Sequence, residues 1–231
     1  MRPCLTLIAG PNGSGKTTLT QRLAETVDLG PVINPDDFIL RHSDLPVAEA
    51  IRAGTEDAAA QRRAYLTAGQ SFALETVFSS RDKTDFLAVV RDQGYALSVF
   101  FVTTDDPRIN CFRVGERVLH GGHPVPIEKI IDRYYRTMLN LFEGVRVADA
   151  LYAFDNSAAD ATPKPVFTTA AASLSEAQPE AAQPAWARDF LEQCQRFGWD
   201  LKAAKRDYAG RTRRIDGGRP DPEQDPGVPS S

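Results

Sequence analysis

The sequence predicts an α/β fold: a doubly wound, mainly parallel sheet of five strands with helices on both faces. Short apolar runs alternate along the chain with segments of helical periodicity. The apolar runs are continuous rather than alternating, which is typical of strands buried on both faces of a parallel sheet. With 42% hydrophobic residues among 231, the chain also has enough apolar side chains for one substantial core.

The individual elements follow from these patterns. Strands are predicted for the uninterrupted apolar runs at residues 5–9, 31–34, 71–76, 96–103 and 151–154. Helices are predicted for the periodic segments at residues 17–27, 46–68, 84–93, 107–119 and 126–142. Gly69 and Gly94 follow two of these helices, and a glycine commonly occupies the position after a helix end. Together the elements define an α/β domain over residues 1–157.

The composition changes after Asn156, where Ala, Ser, Pro and Thr dominate residues 157–185. This predicts a linker or an edge flap at residues 158–183, with one edge strand at 166–169. A single helix is predicted for residues 184–210, and a disordered tail for 211–231. The helix carries several aromatic residues, which we expect to pack back on the core because exposed aromatic stripes are uncommon.

Charge and hydropathy disfavour two classes of partner. The net charge of −4 and the isoelectric point near 5.5 leave no broad basic surface for nucleic acid. No stretch approaches the roughly 18 consecutive apolar residues that would cross a membrane. The spacing of the three cysteines fits neither a zinc site nor a disulfide framework, which favours a reducing compartment. We therefore expect a cytoplasmic protein.

The segment between the first predicted strand and helix matches the pattern G-x-x-x-x-G-K-[ST]. Its glycines let successive backbone N–H groups point at one anion, and the helix that follows adds its positive end. Lys16 is expected to reach the β- and γ-phosphates of ATP or GTP, and the Thr17 hydroxyl to bind Mg²⁺. The predicted nucleotide-binding residues are Gly10, Pro11, Asn12, Gly13, Ser14, Gly15, Lys16, Thr17 and Thr18.

Carboxylates follow the next two strands, at the sheet edge where open α/β sheets bind ligands. Asp36 is the predicted base that takes a hydroxyl proton, with Asp37 second. The alternative is that one of the two caps a helix. Glu75 is expected to bind a substrate hydroxyl or amide, or alternatively to pair with an arginine. Ser79 and Arg81 follow it and are expected to line the same pocket.

A basic segment at residues 107–140 predicts a small helical lid. Phosphoryl transfer needs cations that neutralise the transferred group and a closure that excludes water. For any single arginine the alternative is a solvated helix face or an i,i+4 pair, such as Asp132 with Arg136. The basic residues considered for the lid include Arg108, Arg113, Arg117, His123, Arg133 and Arg136.

The ordered set "GPNGSGKTT", "INPDDF", "ETVFSS", "RVLHGGHPVP" and "IIDRYYRTMLNL" resembles the zeta-toxin family of P-loop kinases, in its short, single-domain bacterial branch, over about residues 4–157. The resemblance implies a kinase that uses ATP and Mg²⁺ to phosphorylate the 3′-hydroxyl of UDP-N-acetylglucosamine. It also implies an antitoxin protein that obstructs the nucleotide site. It assigns Asp36 as the base, Glu75 as a substrate-binding acid and Arg117 as the arginine that stabilises the phosphate.

Two positions depart from the family pattern. His123 stands where longer toxins carry a second charge-stabilising arginine, and a histidine is a weaker, pH-dependent clamp. Val77 stands where a threonine would contact the substrate. Two alternatives therefore stay open. One is a kinase of another metabolite, and the other is a nucleotide-gated binding module that contacts a partner protein through the aromatic residues of 184–210.

Overall fold

The computed structural model describes residues 2–42, 44–160 and 162–215. It confirms the α/β class, but within these residues the sheet has seven strands rather than five, in the order β2-β3-β1-β4-β5-β6-β7. The first five strands are parallel and the last two are antiparallel. The strands are β1 (Cys4–Ala9), β2 (Val32–Ile33), β3 (Phe72–Thr76), β4 (Ala96–Thr103), β5 (Ala150–Asp155), β6 (Lys164–Ala170) and β7 (Ser173–Ala177).

Helices connect the parallel strands, and two more follow the last strand. They are α1 (Lys16–Ala24), α2 (Pro35–Arg41), α3 (Val47–Ala68), α4 (Arg81–Asp92), α5 (Pro107–Leu119), α6 (Ile127–Val147), α7 (Ala185–Arg196) and α8 (Leu201–Ile215). No helix in the described part of the chain is long and apolar enough to cross a membrane.

The short helix α2 was not predicted, and its start corrects the expected capping. The Asn34 side chain accepts a hydrogen bond from the Asp36 backbone N–H at 3.1 Å, and Pro35 occupies the first helical position. Asparagine is a strong N-cap, and proline suits the first turn because that turn has no partner for its N–H. Neither Asp36 nor Asp37 is therefore the cap, and both carboxylates lie in the first turn of α2.

The two faces of the sheet are covered unequally. Leu5, Leu7 and Ala9 of β1 face a large core that includes side chains from α3, α4, α6, α7 and α8. Ile8 faces a smaller cluster that includes Leu19 of the nine-residue α1. At the end of that smaller face Tyr152 stays 37% exposed, and its ring stacks on Phe100 with centroids 4.8 Å apart. The expected burial on both faces therefore holds at the centre of the sheet and weakens toward β5.

Residues 158–183, expected to be a linker or an edge flap, contribute the hairpin of β6 and β7 to the sheet. The hairpin turn consists of Ala171 and Ala172, with φ angles of 46° and 61°. Two-residue turns with positive φ usually contain Asn-Gly or Asp-Gly, because alanine is disfavoured there. The edge strand expected at 166–169 is therefore present as β6, whereas β7 was not predicted because its turn carries no usual sequence signal.

The single helix expected at residues 184–210 is two helices. Gly198 and Trp199 have φ angles of 56° and 62°, and the Trp199 N–H donates to the Cys194 carbonyl at 2.7 Å, which ends α7. The Asp200 side chain then accepts from the N–H groups of Lys202 and Ala203, both at 3.1 Å, and starts α8. Of the predicted tail, residues 211–215 continue α8, and 216–231 lie outside the described residues.

The aromatic residues of the C-terminal helices pack on the core. Trp186 and Phe190 are buried in the large core, and Phe197 and Trp199 are partly buried against that core. The Trp186 indole N–H also donates to Asp155 at the end of β5, at 3.0 Å. These side chains therefore do not form the exposed aromatic surface on which the binding-module alternative depended.

The strained hairpin turn leads to a stability prediction. Replacing Ala172→Gly removes the penalty for a left-handed alanine, roughly 1–2 kcal/mol, against a glycine entropy cost of about 0.5–1 kcal/mol. We expect the free energy of unfolding in urea to rise, by up to about 1.5 kcal/mol. The matched control Ala177→Gly, at the exposed end of β7, is expected to lower it. A loss of stability in Ala172→Gly would contradict the turn geometry.

Candidate active site

The loop between β1 and α1 has a backbone that requires glycine at two positions. Gly13 and Gly15 have φ angles of 71° and 95°. A Cβ on Gly15 would lie 2.2 Å from the Asn156 amide nitrogen, and one on Gly13 would lie 2.7 Å from the Asn110 carbonyl oxygen. Gly15 is also the N-cap of α1 and provides no side-chain cap. The first-turn N–H groups of α1 therefore have no capping side chain, as at helix ends that bind anions.

Two buried asparagines that the sequence analysis missed hold this loop from outside. Asn110 of α5 donates its amide N–H to the Asn12 carbonyl at 2.6 Å, and Asn156 donates to the Ser14 carbonyl at 2.8 Å. Both side chains are almost fully buried, at 0% and 1% exposure. These two bonds fix the orientation of the Asn12 and Ser14 carbonyls and therefore restrict the shape of the loop. Asn156 follows β5 at the ligand-binding edge of the sheet, a signal that could have identified it; no comparable signal marks Asn110.

Helix α6 reaches the same loop by two further contacts. The Arg133 guanidinium donates to the Asn12 side-chain oxygen at 3.2 Å. The Tyr134 hydroxyl donates to the Thr104 carbonyl at 2.6 Å, and the Thr104 hydroxyl donates to the Asn110 side chain. These bonds therefore couple the position of α6 to the position of the glycine-rich loop between β1 and α1.

The carboxylate of Glu75 is held by hydroxyls of α1. Thr17 and Thr20 donate to its two oxygens at 2.8 Å and 2.9 Å, and Glu75 is only 5% exposed. The arginine partner considered from the sequence is therefore wrong. Thr17 and Thr20 are three residues apart on one face of the helix, so their spacing was a usable signal. With its proton donated to Glu75, the Thr17 oxygen keeps lone pairs that a cation can use.

Lys16 lies close to four charged residues that were predicted for the site. Its ammonium donates to the Pro11 carbonyl of the loop at 2.9 Å. Burial lowers its pKa below the usual lysine value, while the carboxylates of Glu75 and Asp36 act in the opposite direction. The guanidinium groups of Arg117 and Arg133 also lower this pKa. All four predicted partners are therefore within electrostatic reach of Lys16.

A cavity of about 440 Å³ lies beside the loop, and it brings together most of the predicted site. Lys83 and Lys129, which the sequence analysis did not select, also line it, and Ile39, Ile51 and Val125 contribute apolar walls. The predicted residues that line it are Asn12, Lys16, Asp36, Glu75, Ser79, His123 and Arg133. One open cavity therefore brings together the predicted base Asp36, the loop lysine, Arg133 and His123.

Two predicted residues lie elsewhere, and the basic lid segment is divided in role. Arg81 lines a neighbouring cleft of about 510 Å³ and not this cavity, which corrects its expected position. Arg117, in the last turn of α5, lines neither space. Arg113 donates to the carbonyls of Asn156 and Ala158 at 2.7 Å and 2.9 Å, so it fixes the segment after β5. Tyr134 of α6 is buried in the large core.

The two asparagines lead to a prediction on nucleotide binding. Removing either amide by Asn110→Ala or Asn156→Ala frees a loop carbonyl, and we expect ATP affinity in calorimetric titration with Mg²⁺ to fall about tenfold. The control Gln183→Ala removes an exposed amide bond of the same length, to the Gln178 carbonyl at 2.6 Å, that does not involve the loop. Unchanged affinity in folded Asn110→Ala and Asn156→Ala proteins would show that the loop does not need these bonds.

Several solved structures resemble the fold. The AvrRxo1-ORF1:AvrRxo1-ORF2 complex with sulphate ions aligns with a TM-score of 0.61 and 15% identity, over 90% of this chain and 76% of that one. The AvrRxo1-ORF1:-ORF2 complex with ATP gives 0.59 and 16%, and this chain spans only 60% of its length while 75% of this chain is covered. The PezAT toxin-antitoxin system of Streptococcus pneumoniae gives 0.52 and 13%, over 71% and 70%.

The sequence itself identifies the family. No curated protein matches the chain significantly. The family model described as Zeta toxin matches residues 1–156, which contain the glycine loop, α2, Glu75 and the α5–α6 segment. The strands β6 and β7 and the helices α7 and α8 lie beyond the matched segment. The chain therefore belongs to the zeta-toxin family.

Proposed function

We propose that the protein is an ATP- and Mg²⁺-dependent kinase that phosphorylates a hydroxyl of a nucleotide sugar, with the 3′-hydroxyl of UDP-N-acetylglucosamine as the leading acceptor. Family membership supports a P-loop kinase. The observation that carries the reaction is that Asp36 and Lys16 line one cavity beside the glycine loop. A carboxylate and a phosphate-binding lysine facing the same space are what in-line phosphoryl transfer requires.

The loop fits a nucleoside triphosphate. The first turn of α1 has no side-chain cap, so its backbone N–H groups are available as donors for phosphoryl oxygens. Lys16 would bind the β- and γ-phosphates, exchanging the Pro11 carbonyl for stronger charged acceptors.

The same residues fit Mg²⁺. No group of three His, Cys, Asp or Glu side chains in the described ranges could form a metal cage. Mg²⁺ usually binds through one or two protein groups plus substrate phosphates, so the Thr17 hydroxyl, oriented by Glu75, suffices on the protein side. Bound there, the ion would neutralise charge on the transferring phosphoryl group. These contacts favour a role for Glu75 in orienting Thr17 over the direct acceptor contact implied by the resemblance.

Asp36 is the proposed base. Its carboxylate is exposed at the start of α2, and the Asn34 cap fixes the backbone that carries it. The acceptor oxygen forms a bond to the γ-phosphorus, the bond from that phosphorus to the bridging oxygen of ADP breaks, and the hydroxyl proton passes to Asp36. Arg117, His123 and Arg133 are proposed to stabilise the charge on the transferred group.

The cavity also supports an anionic acceptor and a protein inhibitor. Lys83 and Lys129 add positive charge to the cavity lining, although Lys83 is paired with Asp82 at 3.2 Å, and positive charge favours an anionic acceptor. The PezAT neighbour is described as a toxin-antitoxin system, and this supports an antitoxin that obstructs the nucleotide site.

Cytoplasmic location remains part of the proposal, since both ATP and nucleotide sugars would be supplied there. A kinase of another metabolite is the alternative.

The role of Asp36 gives a direct test. With γ-labelled ATP and UDP-N-acetylglucosamine, we expect Asp36→Asn to lower the rate of labelled-sugar formation by at least ~10²-fold while ATP affinity stays near wild type. The matched control is Asp37→Asn, because Asp37 lies in the same turn but does not line the cavity. Equal losses in the two variants, or full activity of Asp36→Asn, would exclude Asp36 as the base. Labelling of a different metabolite alone would replace the proposed acceptor.

The role of Glu75 gives a second test. If it orients Thr17, Glu75→Gln is expected to raise the Mg²⁺ concentration for half-maximal activity by about tenfold, since a charge-assisted bond is weakened. The KM for the acceptor should change little. The converse result, a raised acceptor KM with an unchanged Mg²⁺ requirement, would return Glu75 to the substrate-binding role.

A further inference from the structure

A second cleft adjoins the active-site cavity. We call this space of about 510 Å³ the side cleft; it lies between α4, α6 and α8. Ser79 and Ser80, in the loop between β3 and α4, line both spaces. That loop is fixed to α6, because the Asn140 amide donates to the Phe78 carbonyl at 3.1 Å. One extended ligand could therefore occupy both spaces across a fixed ridge.

The side cleft has an excess of positive charge. Two carboxylates, Asp85 and Glu143, line it together with four cations. Arg81 pairs with Asp85 at 3.6 Å and Arg136 pairs with Asp132 at 3.1 Å, so the excess over the three paired carboxylates is one positive charge. Glu143 is shared, with Arg146 at 2.7 Å and Lys205 at 3.2 Å, so its single charge cannot neutralise both. The four lining cations are Arg81, Arg136, Arg146 and Lys205. Three of the four are arginines, whose planar donors suit phosphate groups.

The start of α4 adds to this field. Ser80 is the N-cap of this twelve-residue helix and makes no side-chain cap bond. The positive end of the helix therefore lies at the ridge between the two spaces, next to Arg81. The Asp82 carboxylate lies in the same first turn and offsets part of this charge, while Arg81 leaves its guanidinium on the side-cleft side of the ridge.

We propose that the side cleft binds the phosphate or diphosphate part of the acceptor whose hydroxyl faces Asp36. The assignment rests on the proposed kinase function and adds the subsite that selects a phosphorylated acceptor. Its volume lies in the range of small-molecule sites. The C-terminal extension, which comprises β6, β7, α7 and α8, lies outside the segment matched by the family model. Because Lys205 belongs to α8, this extension contributes to substrate selection.

The test is titration of UDP into protein saturated with a non-hydrolysable ATP analogue and Mg²⁺, so that the glycine loop is already filled. Wild type is expected to bind UDP saturably, and Lys205→Ala or Arg81→Ala to weaken it about tenfold each. Arg81 is 80% exposed, so its removal leaves the fold intact. The matched control is Lys202→Ala, an exposed lysine of the same helix, with wild-type affinity expected.

Wild-type affinity in both Lys205→Ala and Arg81→Ala, or no UDP binding by wild type, would overturn the side-cleft assignment. A failure of the proposed kinase function would give a different result. In that case no UDP-sugar is phosphorylated, yet the two variants still weaken UDP binding and the side cleft stands as an anion site. Phosphorylation of a UDP-sugar with UDP affinity unaffected by either variant would leave the kinase in place and remove the side cleft.

Discussion

The site depends on holding a glycine-rich loop in one shape. Two short amide bonds, from Asn110 to Asn12 and from Asn156 to Ser14, do this from opposite neighbouring segments. Such buried polar groups are costly when unpaired, so each bond stabilises one loop shape against others. The uncapped first turn of α1, Lys16 and the Thr17 hydroxyl are thereby held beside the loop before any ligand binds, and such preorganisation favours phosphoryl transfer.

The order of the strands places the carboxylates of the site on one side of this loop and the residues that support the loop on the other. The loop leaves β1 at the centre, and the carboxyl ends of parallel strands meet at one edge, where ligands bind. On one side, β2 and β3 supply Asp36 and Glu75; on the other, the segments after β4 and β5 supply the supports of the loop. The C-terminal extension continues the sheet past β5, and Trp186 fastens it to Asp155, one residue before Asn156.

The features that could be predicted from the sequence depend on short local patterns. The features that could not be predicted depend on long-range contacts or lack a usual sequence signal. The glycine loop, Asp36 and the α/β class follow from short patterns. Asn110 lies 98 residues from its partner Asn12, so no local pattern could assign it. Glu75 was found by position, but its hydroxyl partners come from α1. The second strand of the terminal hairpin was missed because Ala171 and Ala172 replace the usual turn residues.

The most direct measurement is a crystal structure with Mg²⁺, a non-hydrolysable ATP analogue and UDP-N-acetylglucosamine bound together. We expect the β-phosphate to be enclosed by the N–H groups of residues 13–18 and Lys16 to contact the β- and γ-phosphates. We expect the acceptor hydroxyl to lie within hydrogen-bond reach of Asp36. A nucleotide bound away from this loop, or an acceptor hydroxyl directed away from Asp36, would contradict these expectations.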